Sequence, residues 1–202
     1  MVLISVILPA YNVQDTIKES IDSILNQTFM DFELIIINDG SKDRTEEVIL
    51  SYSDDRIQYY RNEQNKGLIY TLNRGLDLAQ GKYIARMDAD DISLPTRFEK
   101  QVKVMEENLN IVVCGAQIIP FGVDRAKRFT LFLPEESEDL KNLLFIQTCF
   151  AHPTVMIRRQ VLIDNEVRYD ADYSHAEDYK MWIDLSLVGE FYNIQEPLLK
   201  YR

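Results

Sequence analysis

No glycine-rich loop follows the first strand-like run of this chain. Val2 to Leu8 gives way instead to Pro9-Ala10-Tyr11-Asn12. A dinucleotide fold would carry G-x-G-x-x-G at that turn, and a nucleotidyltransferase a comparable loop, so a pyrophosphate cradled there by backbone amides is disfavoured. Positive charge is also scarce. With 22 lysines and arginines against 33 aspartates and glutamates, the net charge is −11. That argues against non-specific binding to nucleic acid or to an anionic membrane through this domain. An acidic protein that handles phosphates must neutralise them locally, which suits a metal better than a basic patch. Cysteine is limited to Cys114 and Cys149, in no metal-ligand spacing and in apolar surroundings, so both are expected as buried free thiols. No apolar run is long enough to span a bilayer. No basic and apolar leader precedes the first strand, so no signal peptide is expected, and the expected location is the cytoplasm or the inner face of the membrane. Repeats and low-complexity tracts are absent.

What remains is 202 residues with 46% hydrophobic and 27% charged side chains, ordinary proportions for one soluble domain with a sizeable core. Continuous apolar runs at Val2–Leu8 and Phe32–Ile37 read as strands buried on both faces. Shorter runs at Ile57–Arg61 and Lys82–Met87 read as a third and fourth strand. Helical periodicity lies between them, over Asp15–Asn26, from about Arg44 to Tyr52 with Asp43 as a cap, and over Leu68–Ala79 closed by Gly81. Repeating strand–helix units predict a parallel, doubly wound sheet, whose ligands bind at the carboxyl ends of the strands. The second half is less regular. It predicts helices over Pro95–Glu107, Leu140–Phe150 and Ser174–Leu187, and strands over Ile111–Ile119, His152–Arg158 and Glu190–Tyr201.

The chain's chemistry centres on Tyr83-Ile84-Ala85-Arg86-Met87-Asp88-Ala89-Asp90-Asp91, where an apolar run ends in three carboxylates. Strand alternation would aim Asp88 and Asp90 the same way. Carboxylates that close repel unless a cation sits among them, and oxygen ligands of this kind suit Mg²⁺ or Mn²⁺. The competing reading is a solvated acidic turn that caps the next helix. Arg86 is expected to pair with a carboxylate. Tyr11 can stack on a base. Asp39 can bind a base or ribose, or instead make an Asx-turn within Asn38-Asp39-Gly40-Ser41. Lys66 and Arg74 are the nearest cations in chain order, with an exposed helix arginine as the plainer reading of Arg74. Ser174 and Glu177 fit a capping box. Asp178 has no such structural duty and, kept ionised by the helix dipole, can serve as a general base. His152 and His175 are rival bases.

Five blocks then stand in a telling order: Ile4–Asn12, Ile37–Asp43, Asn65-Lys66-Gly67 with Asn73-Arg74-Gly75, Met87–Asp91 and Ala176–Tyr179. Together they closely resemble the inverting glycosyltransferases of family 2, over essentially the whole chain. The resemblance implies an α/β GT-A fold: a Rossmann-like, mostly parallel central sheet flanked by helices, with an α+β acceptor-side half. It implies a single catalytic domain over 1–202, with nucleotide-sugar binding in 1–91 and the acceptor side in 92–202. The end at Tyr201-Arg202, inside a strand-like pattern, reads as a cut in a longer protein. It implies a UDP-sugar donor held by Pro9, Tyr11, Asp39, Lys66, Arg74, Asp88 and Ala89, and Mn²⁺ or Mg²⁺ on Asp88 and Asp90. Asp178 would take the acceptor proton while the metal stabilises the departing UDP. His152, Glu177 and Trp182 would face a saccharide or lipid-linked saccharide acceptor, as in cell-surface polysaccharide synthesis. Membrane contact would need C-terminal helices that this chain lacks. The alternatives are a non-catalytic nucleotide-sugar-binding module and a nucleotidyltransferase.

Overall fold

The computed structural model describes residues 2–122 and 132–202. Its first strands are β1 (Ile4–Ala10), β2 (Phe32–Asn38), β3 (Ile57–Arg61) and β4 (Tyr83–Arg86), alternating with helices α1 (Ile17–Leu25), α2 (Thr45–Leu50) and α3 (Leu68–Leu78). There follow β5 (Ile92–Ser93), α4 (Arg97–Glu107), β6 (Ile111–Pro120), α5 (Ser137–Leu143), β7 (Met156–Arg158), α6 (Arg159–Asp164), α7 (Glu177–Ser186) and β8 (Glu190–Tyr201). One eight-stranded sheet runs in the order β3-β2-β1-β4-β7-β6-β8-β5. β1 pairs in parallel with β2 and β4, and β2 with β3. β7 is antiparallel to both β4 and β6, while β8 runs parallel to β6 and antiparallel to β5. The expected doubly wound parallel sheet is therefore the first half of a mixed one, inverted at β7.

Strand alternation explains why the first runs are apolar throughout. Val6, Leu8, Leu34 and Ile36 pack with α1 and α4 on one face, through Ile17, Ile21, Ile24 and Phe98. Their neighbours Ile7, Ile35 and Ile37 pack on the other face with Leu72, Phe150, Trp182 and Leu185. Neither face is free to be polar. Gly75 lets α3 lie close to β1, since a Cβ there would sit 2.5 Å from an Ile7 methyl.

β1 begins and ends two residues later than its hydrophobicity suggested, and it passes through Pro9. Ile7 turns its carbonyl to β4, accepting from Met87 N at 3.2 Å. Pro9 has the same parity, so it faces the side where β4 has already ended, and its missing N–H costs no ladder bond. The predicted helix over 140–150 is instead α5 over 137–143 with a turn after it. Leu140 is buried, but Phe145 and Ile146 are 86% and 80% exposed, so no apolar face remains to carry the helix on. The predicted strand over 152–158 is a 3₁₀ turn at His152–Thr154 followed by the short β7. Pro153 there cannot donate to a ladder. The capping box also fails. α7 starts at Glu177, its N-cap is Ala176, and no side chain caps it. His175, at φ 67°, turns the chain away and takes Ser174 out of capping position.

Candidate active site

The acidic stretch does not leave β4 as a strand. Arg86 is the last ladder residue, and Asp88 to Asp91 form a turn closed by Asp91 N donating to Asp88 O at 3.3 Å. Strand alternation is thus not what gathers the carboxylates; the turn is. One oxygen from each of Asp88, Asp90 and Asp91 lies within 4.8 Å of the others. β8 holds the exit of the turn, pairing Ile92 with Lys200 and Ser93 with Leu199. Arg202 completes that zipper. Its backbone N donates to Asp91 Oδ1 at 2.9 Å, its Nε to Asp90 O at 2.8 Å and its Nη2 to Glu19 at 2.6 Å.

Three arginines offset this charge. Arg86, buried, donates to Asp88 at 2.6 Å and forms an ion pair with its other oxygen, the carboxylate partner expected of it. Arg97 is fully buried beneath the turn and donates through Nη2 to Arg86 O at 2.9 Å and to Val155 O at 3.3 Å. Burial lowers its pKa to about 9. Arg202 is the third. Even so, burial followed by the charge of Asp88 raises the Asp90 carboxyl above the usual range. Asp91, nearly inaccessible, is pushed by burial and by Asp88 and Asp90 up to about 7. Its Oδ2 is buried without a partner. An all-oxygen donor set with an orphaned carboxylate oxygen and too much negative charge fits a hard divalent cation. Asp88 and Asp90 are the accessible members of that set.

Two cavities meet at this turn. The smaller, about 280 Å³, is walled by the loops after β1, β2 and β4 and the start of α3: Pro9, Tyr11, Asp39, Gly67, Leu68, Asp88, Ala89 and Asp90 among others. Asn38 makes the turn after β2, its side chain accepting from Ser41 N at 2.9 Å. That leaves the Asp39 carboxylate to accept from Lys66 N (2.9 Å), Gly67 N (2.9 Å) and Asn62 Nδ2 (2.6 Å). Gly40, at φ +70°, allows the sharp exit, and a Cβ on it would meet the Gln64 backbone at 2.6 Å. Tyr11 is 42% exposed at the rim, free to stack. Asp43 accepts from Thr45 N and Gln14 N, so it ties two loops together as well as opening α2.

The larger cavity, about 600 Å³, shares Leu68 and Asp88 with the first and adds Arg86, Ile118, Phe150, His152, Glu177, Asp178, Tyr201 and Arg202. Asp178 accepts from Tyr179 N at 2.7 Å. Burial and then the Glu177 charge outweigh that bond and the Arg86 charge, so its carboxyl is raised. The helix-dipole expectation of an easily ionised Asp178 is corrected in direction, and the higher pKa makes a stronger base. With the capping box gone, Glu177 is left facing the cavity. His152 Nε2 lies 2.9 Å from Tyr169 Oη, and burial followed by the Arg86 charge holds its pKa well below the ordinary value.

Not every expected residue arrives. Trp182 is completely buried behind the wall, its ring edge-on to Phe150 and His152 at 5.5 and 5.9 Å, so it shapes the cavity without facing an acceptor. Arg74 lines neither cavity. Its Nη1 donates to Arg61 O at 2.8 Å and to Asn62 Oδ1 at 2.5 Å, which supports Asp39 from behind. Lys66 contributes its backbone N to Asp39 rather than its ammonium to the cleft. His175 is exposed and lines neither cavity. Arg97, Tyr169 and Arg202 were missed, because each reaches the site only through tertiary packing. Both cysteines are buried and free.

Among the described residues no helix is long and apolar enough to cross a membrane. Residues 5–165 match the model of glycosyl transferase family 2. An uncharacterised glycosyltransferase of Haemophilus influenzae is 39% identical over 99% of this chain, and this chain spans 65% of that protein. The O-antigen biosynthesis glycosyltransferase WbnJ of Escherichia coli is 36% identical over 99% of this chain and 79% of its own length. The S. aureus TarS 1–349 structure in complex with UDP superposes with a TM-score of 0.85 at 21% identity, covering 98% of this chain and 60% of that one. The fold is thus the GT-A fold, and the chain belongs to family 2 of the glycosyl transferases. Asp178 and the whole of α7 and β8 lie beyond the segment that the family model matches.

Proposed function

We propose that this domain moves a sugar from a UDP-sugar to an acceptor hydroxyl with inversion, in the assembly of a cell-surface polysaccharide. The observation that carries this is the junction of two cavities at Asp88, a nucleotide-sized cleft on one side and a chamber holding Asp178 on the other. The uridine lies against Tyr11, with the base hydrogen-bonded by Asp39. Pro9 and Ala89 close the cleft, and Leu68 separates it from the chamber. The backbone of Lys66 and, at one remove, Arg74 keep Asp39 in place. Asp88 and Asp90 hold Mn²⁺ or Mg²⁺, which when bound supplies positive charge beside the diphosphate.

Asp178 accepts the proton of the acceptor hydroxyl as that oxygen bonds to the anomeric carbon. The bond from the anomeric carbon to the diphosphate oxygen breaks on the opposite face, and UDP departs with its electron pair. One displacement inverts the centre. A carboxylate with a raised pKa in a partly desolvated chamber suits this step. The acceptor, a saccharide free or lipid-linked, sits between His152, Glu177 and the apolar wall of Ile118 and Phe150. WbnJ, by its name an O-antigen enzyme, supports the polysaccharide assignment. The titration of the protein with UDP, with and without Mn²⁺ and again on Asp90→Ala, is the test. Metal-dependent binding that the variant loses is expected; no UDP binding in either condition removes the donor assignment.

A further inference from the structure

Tyr169 is buried behind His152, which lines the larger cavity, and two features fix it there. Its backbone is gripped at both ends by one side chain 96 residues away: Asn73 Nδ2 donates to Tyr169 O at 2.8 Å, and Tyr169 N donates to Asn73 Oδ1 at 3.1 Å. Arg168 reinforces the grip, donating to Asn73 O at 3.1 Å and pairing with Asp77 at 2.8 Å. The hydroxyl then meets His152 Nε2 at 2.9 Å, with the imidazole braced edge-on by Trp182. His152 Nε2 is the hydroxyl's one hydrogen-bond partner among the described residues, so a buried phenol proton is satisfied only by pointing at that nitrogen. The phenol keeps its proton, because burial raises its pKa.

We infer that Tyr169 fixes His152 as a neutral imidazole with its proton on Nδ1, making that nitrogen a hydrogen-bond donor to a sugar oxygen in the larger cavity. An acceptor at Nε2 requires the proton of a neutral imidazole to be on the other nitrogen. Nδ1 has no hydrogen-bond partner among the described residues, nor is it one of their buried orphaned atoms, and His152 lines the cavity. The arrangement gives Asn73 a duty in the acceptor-side half rather than beside the nucleotide. His152 is thereby a donor and not the base, which leaves proton removal to Asp178. The sugar part of this inference rests on the transferase reading; the tautomer does not.

The chain has only two histidines, so the imidazole nitrogens of ¹⁵N-histidine-labelled protein resolve by long-range ¹H–¹⁵N NMR. His152 is expected with a protonated Nδ1 and a bare Nε2 at neutral pH, and Tyr169→Phe is expected to lose that pattern. A wild-type spectrum with the proton on Nε2, or a folded Tyr169→Phe with the pattern intact, overturns the inference. If Tyr169→Phe does not fold, the wild-type spectrum alone decides between the nitrogens. The sugar is tested with Mg²⁺ and UDP, UDP-glucose or UDP-N-acetylglucosamine, then with methyl β-D-glucopyranoside added to the UDP complex. A shift of the Nδ1–H signal beyond that caused by UDP is expected. Its appearance with the nucleotide sugars assigns the donor sugar, and its appearance only with the glucoside assigns the acceptor. No shift in any arm overturns the sugar contact. Failure of UDP to bind, read from the same titrations, counts against the transferase reading and leaves the tautomer result standing.

Discussion

The two cavities that share Asp88 are built in opposite ways. The smaller is made from consecutive strand ends of a parallel sheet, and its charged group is satisfied by backbone: Asp39 takes two N–H groups from the Lys66–Gly67 turn and a third bond from Asn62. The larger is made from β6, the 148–153 turn, the start of α7 and the end of β8, and two of its ionisable groups are held away from their ordinary pKa values. Asp178 is raised and His152 lowered, in each case first by burial. A preorganised, satisfied carboxylate is suited to recognition. Perturbed groups in a chamber are suited to proton transfer. The shared turn carries both kinds, with Asp88 paired to Arg86 and Asp91 partly orphaned.

The sharpest way to separate the two is to remove the base without touching the nucleotide side. Asp178→Asn is expected to lower turnover by roughly 10²–10⁴ while UDP affinity stays within a factor of about two. Steady-state rates and calorimetry on the same preparation decide it. Near-wild-type turnover would mean that the larger cavity does not hold the base.

Next in size is the strut beneath both. Arg97 is fully exposed to protein and not at all to water, bonded to Gln101, Arg86 O and Val155 O, with Nη1 unpartnered. Arg97→Ala empties that space, orphans those acceptors and takes a cation from under Asp91. We expect about 3–5 kcal/mol of lost stability, the range for breaking a buried charge network on one side. Urea unfolding measures it. A loss below about 1 kcal/mol would mean the turn is held from β8 alone.

Asp39→Asn tests the satisfied side. The amide oxygen can keep Asn62 and Lys66 N, but its NH₂ then faces the Gly67 N–H, donor against donor. Losing a bond to a charged acceptor costs about 1.5–3 kcal/mol, or roughly 10- to 100-fold in UDP affinity. An unchanged affinity would show that the base is read elsewhere. Gly40→Ala should act on the same loop less strongly. Its φ of +70° and the 2.6 Å approach to the Gln64 backbone predict about 1–2 kcal/mol of destabilisation, seen as a lower Tm.

The same contrast decides what the sequence made legible. The first four strands, the helices α1 to α4, and Pro9, Tyr11, Asp39, Asp88, Ala89 and Asp90 of the smaller cleft could be read. Period-2 burial and strand-end turns are local signals. The Asp-x-Asp cluster was found for a reason that did not survive, since a turn gathers it and strand alternation does not. Around the larger cavity, Asp178 and His152 were found by type and by family likeness. The capping box on Ser174 and the acceptor-facing Trp182 failed, because one positive-φ residue and one packing partner decided them. Tyr169, Arg97 and Arg202 gave no local sign at all. Their roles are fixed by contacts with residues 17, 11 and 111 positions away.

The smallest effect follows from His152 and carries a definite sign. In the folded protein its pKa lies well below 6.5, and in the unfolded chain it returns to the ordinary value. Below pH 6.5 the unfolded chain therefore binds a proton that the folded one refuses. Stability is full above that pH and falls as pH drops toward the folded value. At pH 5.5, one unit below, the loss is at most about 1.4 kcal/mol. Asp178 runs the other way. Its raised carboxyl keeps a proton in the folded state from the ordinary carboxylate range upward, so its contribution is largest at low pH and fades as pH rises. The two partly cancel in the wild type. His152→Gln, which keeps an amide in the imidazole's place, removes only the first. Between pH 7.5 and 5.5 its stability should fall less steeply than that of the wild type in parallel urea titrations. Equal slopes would place a protonated His152 in the folded protein, and with it a larger cavity whose groups are not set by burial.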